Sequence, residues 1–164
     1  MPEGSRIVVC NATPIITLAI VGQVGLLQRL YGTVLIPPAV EAEILAGGPR
    51  HGAKELSQSE YIQTVPLVDT IKADLLSDLD RGEAEAIALA LEKRAGLLIM
   101  DERLGRRHAA RLGLTLTGSI GILLKSKQAG YLDAIQPLLE QIEQNGIYLS
   151  QSLINQALQQ AGEL

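Results

Sequence analysis

The sequence predicts an α/β fold in which a parallel sheet of four or five strands is covered by helices on both faces. Short β-branched or leucine-rich runs at Ile7 to Cys10, Thr33 to Ile36, Leu97 to Met100 and Leu114 to Thr117 are each too short for a helix. The intervals between them carry apolar residues at three-and-four spacing, as in Ala84, Ile87, Ala88, Leu91 and Ala95, the mark of an amphipathic helix. Strands that alternate with helices imply a parallel sheet buried on both sides.

Taken in order, Ile7 to Cys10 gives the first strand. Thr13-Pro14 then reads as a helix cap followed by proline at the first helical position. Thr33 to Ile36 is the second strand, and Pro37-Pro38 opens a helix over Ala39 to Leu45. Gly47 to Gly52, with Pro49, Arg50 and His51 inside it, is a loop by composition. Tyr61 to Val65 reads as a further strand. The alanine-rich helix leads into Leu97 to Met100, and Leu114 to Thr117 closes the sheet. From Tyr131 onward two helices with glutamine-rich polar faces flank Asn145-Gly146 and read as packing or oligomer elements. There is no internal repeat and no low-complexity tract.

With 164 residues, 47% of them apolar, and a mean hydropathy slightly above zero, the chain reads as a single domain, 1–164, with a real core. Fourteen basic residues against eighteen acidic ones leave a formal charge of -4, so any nucleic-acid site must be a local patch. One cysteine, Cys10, excludes an internal disulfide framework and a cysteine-cluster zinc site, and His51 and His108 stand too far apart for a helix-borne zinc motif. A reducing compartment fits. No run approaches the roughly eighteen apolar residues that span a bilayer, and Met1 to Cys10 lacks a signal-peptide layout, so a cytoplasmic location is expected. Phe and Trp are absent, leaving Tyr31, Tyr61, Tyr131 and Tyr148. A base-stacking platform is hard to build from these, so a nucleic acid would be held by its backbone.

The chain has no Gly-Lys dipeptide and no glycine triplet at dinucleotide spacing, which argues against nucleotide-triphosphate hydrolysis. It has no serine nucleophile elbow, and Cys10 lies in a strand read as buried, with no histidine near it. Carboxylates remain. Asn11 and Asp101 each follow a strand, at the carboxyl edge where parallel sheets bind ligands. Glu43, on the helix after Pro38, and Glu83, at the start of the long helix, could each reach the same edge. Three carboxylates and a carboxamide suit a hard divalent cation, Mg²⁺ or Mn²⁺.

Each residue also has a plainer reading. Asn11 and Thr13 could be turn and cap residues. Asp80 and Glu83 stand at the capping-box offset. Asp101 could cap a helix that starts at Glu102, and Glu43 could lie on a solvated helix face. Arg103, Arg107 and Arg111 recur every four residues after Asp101, with Arg106 and His108 beside them. This basic stripe reads as phosphate contact, as a solvated face, or as ion pairs with Glu102 and the acidic helix of Glu83, Glu85 and Glu92.

Five blocks in order, Ile7-Val-Val-Cys-Asn-Ala-Thr-Pro-Ile-Ile, Val34-Leu-Ile-Pro-Pro-Ala-Val-Glu-Ala-Glu-Ile-Leu, Asp80-Arg-Gly-Glu-Ala-Glu-Ala-Ile-Ala-Leu-Ala, Leu97-Leu-Ile-Met-Asp-Glu-Arg-Leu-Gly-Arg-Arg and Thr117-Gly-Ser-Ile-Gly-Ile-Leu, resemble a PIN domain. The branch they are most similar to is that of predicted nucleic-acid-binding bacterial and archaeal proteins, and the likeness covers about residues 5–130. It implies a three-layer α/β/α sandwich and a Mg²⁺- or Mn²⁺-dependent endoribonuclease site, as in VapC-type toxins of toxin-antitoxin pairs. Carried over by position, the catalytic set is Asn11, Glu43, Glu83 and Asp101, with Glu43, Glu83 and Asp101 as metal ligands. The third acid falls on Glu83 or Glu85, which flank the apolar stripe alike, and the Gly-Glu pattern of the branch favours Glu83. Thr13, Arg103, Arg107 and Ser119 fall on the RNA side. The resemblance also implies a homodimer and, for a toxin, a small antitoxin-like partner. Asn11 departs from the family's usual aspartate: an amide oxygen can ligate a metal but brings no charge and cannot act as a base. An impaired, nucleic-acid-binding or regulatory protein is therefore the alternative, and a pure interaction module covered by its partner is a third reading.

Overall fold

In the computed structural model, which describes residues 6–47 and 52–164, all five strand-like runs form strands. They are β1 (Val8–Cys10), β2 (Val34–Ile36), β3 (Ile62–Thr64), β4 (Leu97–Ile99) and β5 (Leu116–Thr117). Between and after them run the helices α1 (Ala12–Ile20), α2 (Gly25–Tyr31), α3 (Pro38–Ala46), α4 (Ala53–Gln58), α5 (Ile71–Leu75), α6 (Arg81–Glu92), α7 (Arg103–Arg111), α8 (Ser119–Gln128), α9 (Gln136–Gln144) and α10 (Gln151–Ala161). Gly48 to His51, the middle of the expected loop, lies outside the described residues.

The sheet is wholly parallel, in the order β3-β2-β1-β4-β5, with helices on both faces, which is the expected α/β/α sandwich. The chain steps outward from β1 to β3 and then returns across β1 to place β4 on its other side. Strand order therefore reverses between β1 and β4, which pair in register Cys10 to Ile99. The crevice beyond their carboxyl ends is where such sheets bind ligands.

These two strands are central and fully buried, which is why they read as unbroken apolar runs rather than as an alternation. Alanines 84, 86, 88 and 90 are buried along α6, and their small side chains let it pack closely on α3 and α5. The second cluster of buried apolar residues, Ala73, Ala84 and Ala88, lies in this α5–α6 contact. Pro37 and Pro38 open α3 as expected, with Pro38 at its first turn.

Thr13 corrects the reading of the first helix. The N-cap position of α1 is Asn11, not Thr13, because the β1–β4 ladder runs one residue further and the Asn11 N–H donates to Ile99 O at 2.9 Å. Pro14 is then the third helical residue, where its missing N–H has no helical partner to lose. Asn11 is extended (φ -81°, ψ 172°), and its side chain caps nothing.

The C-terminal helices are packing elements. Leu139 and Ile142 on α9, and Ala157 and Leu158 on α10, are buried in the main core. Glu163 fastens them: its carboxylate accepts from Ile135 N–H at 2.8 Å and Gln136 N–H at 3.0 Å at the start of α9, and from Lys127 Nζ at 2.9 Å on α8. Burial alone would raise this carboxyl, but those three donors outweigh it and hold the group below its ordinary range. Glu163→Ala is expected to lower stability by about 2 kcal/mol in urea denaturation at neutral pH. Because the folded carboxyl is the stronger acid, this contribution is complete above the unfolded value, about 4.3. It fades as pH falls through the lower folded value, so parent and variant should converge in acid.

Among the described residues no single helix is long and apolar enough to cross a membrane.

Candidate functional site

Three elements bring oxygen atoms to the mouth of the crevice beside β1. Asn11, at the end of β1, is 2% exposed, and its Oδ1 has no hydrogen-bond partner. Glu43 lies on the exposed side of α3 but turns its carboxyl tip back toward the start of α6. Asp80 is the N-cap of α6, where its Oδ1 accepts from Glu83 N–H at 2.8 Å while Glu83 Oε2 accepts from Asp80 N–H at 3.1 Å. The capping box is therefore real. A Cβ added to Gly82 would stand 2.8 Å from Glu43 Oε1, 3.6 Å from Asp80 Oδ1 and 3.7 Å from Asn11 Oδ1, so the three oxygens surround one point that only glycine leaves open.

The remaining acids sort cleanly. Glu83 is 8% exposed; with Oε2 held by the cap, its Oε1 lies toward Gly105 of α7. Glu85 faces elsewhere: its Oε1 accepts from Ala39 N–H at 3.1 Å and its Oε2 from Arg81 Nε at 2.9 Å. That clasp fixes the first turn of α3 on α6 and so sets where Glu43 stands. Partial burial pushes the Glu43 carboxyl above its ordinary range, and the Asp80 and Glu102 carboxylates add to the effect. Glu83 is raised as well, first by burial and then by the charges of Asp80, Glu102 and Glu43, against the lowering bond from Asp80 N–H. Among the described residues no cationic side chain pairs with Glu43, Asp80, Glu83 or Glu102.

Asp101 has a different setting. It caps neither Glu102 nor α7; its Oδ1 accepts from Ser119 N–H at 2.7 Å and its Oδ2 from Ser119 Oγ at 2.6 Å, at the start of α8. Among the described residues no three His, Cys, Asp or Glu side chains are placed to hold an ion by themselves. The trio Glu43, Glu83 and Asp101 is thus not gathered into a cage, because Asp101 is turned to α8. Ser119, expected on the RNA side, is 5% exposed and occupied by this bond.

A hard divalent cation nevertheless fits the residues at Gly82. A buried amide oxygen without a donor is exceptional, and among the described residues no cationic side chain pairs with the neighbouring carboxylates. Glu43, Asp80 and the Asn11 amide offer oxygen ligands of the type Mg²⁺ and Mn²⁺ take, and such ions commonly use one or two carboxylates and keep several waters. Sequence reasoning saw Asp80 only as a cap and Glu102 only as an ion-pair partner. The signal available was the capping box, which ties Asp80 to the same turn as Glu83.

The basic stripe divides. Arg103, Arg107 and Arg111 are exposed and without ion pairs among the described residues, since Glu85 binds Arg81 and Glu92 accepts from the backbone N–H of Val68. His108 pairs with Asp78 at 2.8 Å. Arg106 turns inward, its guanidinium donating to Met100 O at 2.8 Å. It lines a cavity of about 590 Å³ whose polar side holds Thr13, Thr17, Asp101 and Ser119. Its apolar lining comes from Leu116, Ile120, Ile142, Ile147, Leu149 and Leu153, with Tyr148 on the wall and 84% exposed. Cys10 is inert: burial and then the Asp101 charge push its thiol well above the usual range.

Comparison with curated proteins gives no match. A family model described as PIN domain matches residues 7–163, nearly the whole chain, in agreement with the parallel sheet and the acidic edge, and the protein belongs to the PIN domain family.

Proposed function

We propose that this PIN domain is a metal-dependent endoribonuclease that grips RNA by its phosphates. The observation that carries the reading is Asn11 Oδ1, buried and unpartnered beside carboxylates that pair with no cationic side chain among the described residues. Asn11 and Glu43 would hold the ion, with Glu83 beside them. A bound Mg²⁺ or Mn²⁺ would supply Lewis-acid polarisation and a more acidic bound water. Glu83 Oε1, free of the capping bond, is the oxygen available to orient a water. Asp101 positions rather than binds, holding Ser119 and the first turn of α8. Arg103 and Arg107, exposed on α7, would take phosphate oxygens in bidentate fashion.

Cleavage of an RNA substrate should require Mn²⁺ or Mg²⁺, stop in chelator and vanish in Glu43→Gln. Arg103→Ala with Arg107→Ala should weaken RNA binding and flatten its salt dependence by about one unit of slope per lost phosphate contact. Unchanged slope with intact binding would return the stripe to ordinary solvated surface.

A second reading is favoured by one observation, the missing charge at Asn11. It makes the chain a nucleic-acid-binding or regulatory protein, and RNA bound but uncut in millimolar Mn²⁺ would select it. As the toxin of a pair, the protein would have a small antitoxin-like partner over the acidic edge, and co-expression should then yield a complex in which Mn²⁺ binding is blocked. A homodimer would draw its apolar surface from Val68, Ile71 and Leu75, exposed on and before α5, rather than from the buried faces of α9 and α10. Sedimentation of Leu75→Glu tests this.

A further inference from the structure

We propose that Asp80 supplies the negative charge that Asn11 lacks: Glu43 and Asp80 are the two carboxylate ligands of the divalent ion, and the Asn11 amide oxygen is its neutral third ligand. This rests on the metal-site reading above and names the residue that makes it chemically complete.

Two independent features meet at one place. The first is positional: Asn11 Oδ1, Glu43 Oε1 and Asp80 Oδ1 all lie within 3.7 Å of the point left open by Gly82. The second is the state of Asn11. Its amide oxygen is 2% exposed and accepts no hydrogen bond, although an unsatisfied buried acceptor costs about 1–3 kcal/mol. The other two side-chain oxygens beside Gly82 belong to carboxylates, which are acceptors too. A cation, or a water bound to one, satisfies all three acceptors together.

Asp80 is suited to the part. Its Oδ1 is oriented by the Glu83 N–H, and its Oδ2 accepts no hydrogen bond among the described residues. The residue is exposed at the rim of α6, whereas an aspartate at the buried position 11 would add a third negative charge beside two others. Moving the acid from the strand end to the rim of α6 keeps two carboxylates near the ion and relieves that burial.

Manganese titration by calorimetry on five proteins tests the exchange: the parent, Glu43→Gln, Asp80→Asn, Asn11→Asp, and the last two changes combined. Asparagine is as good an N-cap as aspartate, so Asp80→Asn should fold normally, which a melting curve in chelator checks. Asp80→Asn should weaken Mn²⁺ binding at least tenfold, on the scale seen when metal-site partners are removed. The combined variant should recover most of the loss, because the charge is restored on the other side of the same point. If Asp80→Asn binds Mn²⁺ like the parent while Glu43→Gln does not, Asp80 is only a cap and the proposal falls with the metal site intact. A combined variant no better than Asp80→Asn overturns the exchange in the same way. If the parent shows no saturable Mn²⁺ binding, the metal-site reading itself fails and takes the proposal with it.

Discussion

Gly82→Ala should melt higher than the parent in chelator and yet bind Mn²⁺ at least tenfold more weakly. Gly82 is the second residue of α6 and does not have a positive φ, so alanine fits its backbone and gains about 0.5–1 kcal/mol of helix preference. For a chain of this length that is about 1–4 °C. The new Cβ, however, would lie 2.8 Å from Glu43 Oε1. The glutamate is long and its helix position is exposed, so the carboxyl moves aside at little cost to the fold and leaves Asn11 and Asp80 without it. Thermal melts in chelator alongside calorimetry with Mn²⁺ separate the two effects. Stabilisation with unchanged Mn²⁺ affinity would show that the opening at Gly82 serves helix packing alone.

Asp101→Ala should be the most destabilising change at the sheet edge, by about 2–3 kcal/mol. Both carboxylate oxygens are engaged by Ser119, whose N–H and hydroxyl would be left buried without an acceptor. Those donors open α8, which packs on α1, α2 and α10, so the loss reaches both the core and the C-terminal helices. Asp101→Asn keeps one acceptor oxygen and should lose less than half as much in urea denaturation. Equal losses for the two variants would mean that charge, not hydrogen bonding, is what α8 requires. Neither should abolish Mn²⁺ binding if the ion sits at Gly82.

The two central strands are legible because their positions are buried on both faces. Every residue in Val8–Cys10 and Leu97–Ile99 must then be apolar, and an unbroken apolar run of that length is too short to be a helix. The edge bearing Asn11 and Asp101 follows from strand ends alone. What those side chains do there is not legible, because it depends on partners distant in sequence. Asp101 meets Ser119 eighteen residues later, across β5, and nothing local distinguishes that bond from a cap on α7. Glu43 comes to the same place as Asp80 because α3 packs on α6, where Glu85 also accepts from Ala39 N–H, a contact between helices that periodicity cannot see. Thr13 misleads for a similar reason: local chemistry makes it a cap, and the ladder between β1 and β4 moves the helix start to Asn11. Arg106 likewise belongs to a helical stripe by spacing and leaves it for a backbone oxygen.

The cavity beside Asp101 has walls of separate descent. One part of its lining belongs to α1, β5 and α8, while Ile142, Ile147, Tyr148, Leu149 and Leu153 come from residues 142–153, which join no strand and follow the start of α9 that Glu163 holds. Substitution at Ile147, Leu149 or Leu153 is expected to reshape this cavity while leaving the oxygens around Gly82 in place. Cavity wall and oxygen cluster are thus set by separate stretches of the chain, so a change in one can leave the other as it is.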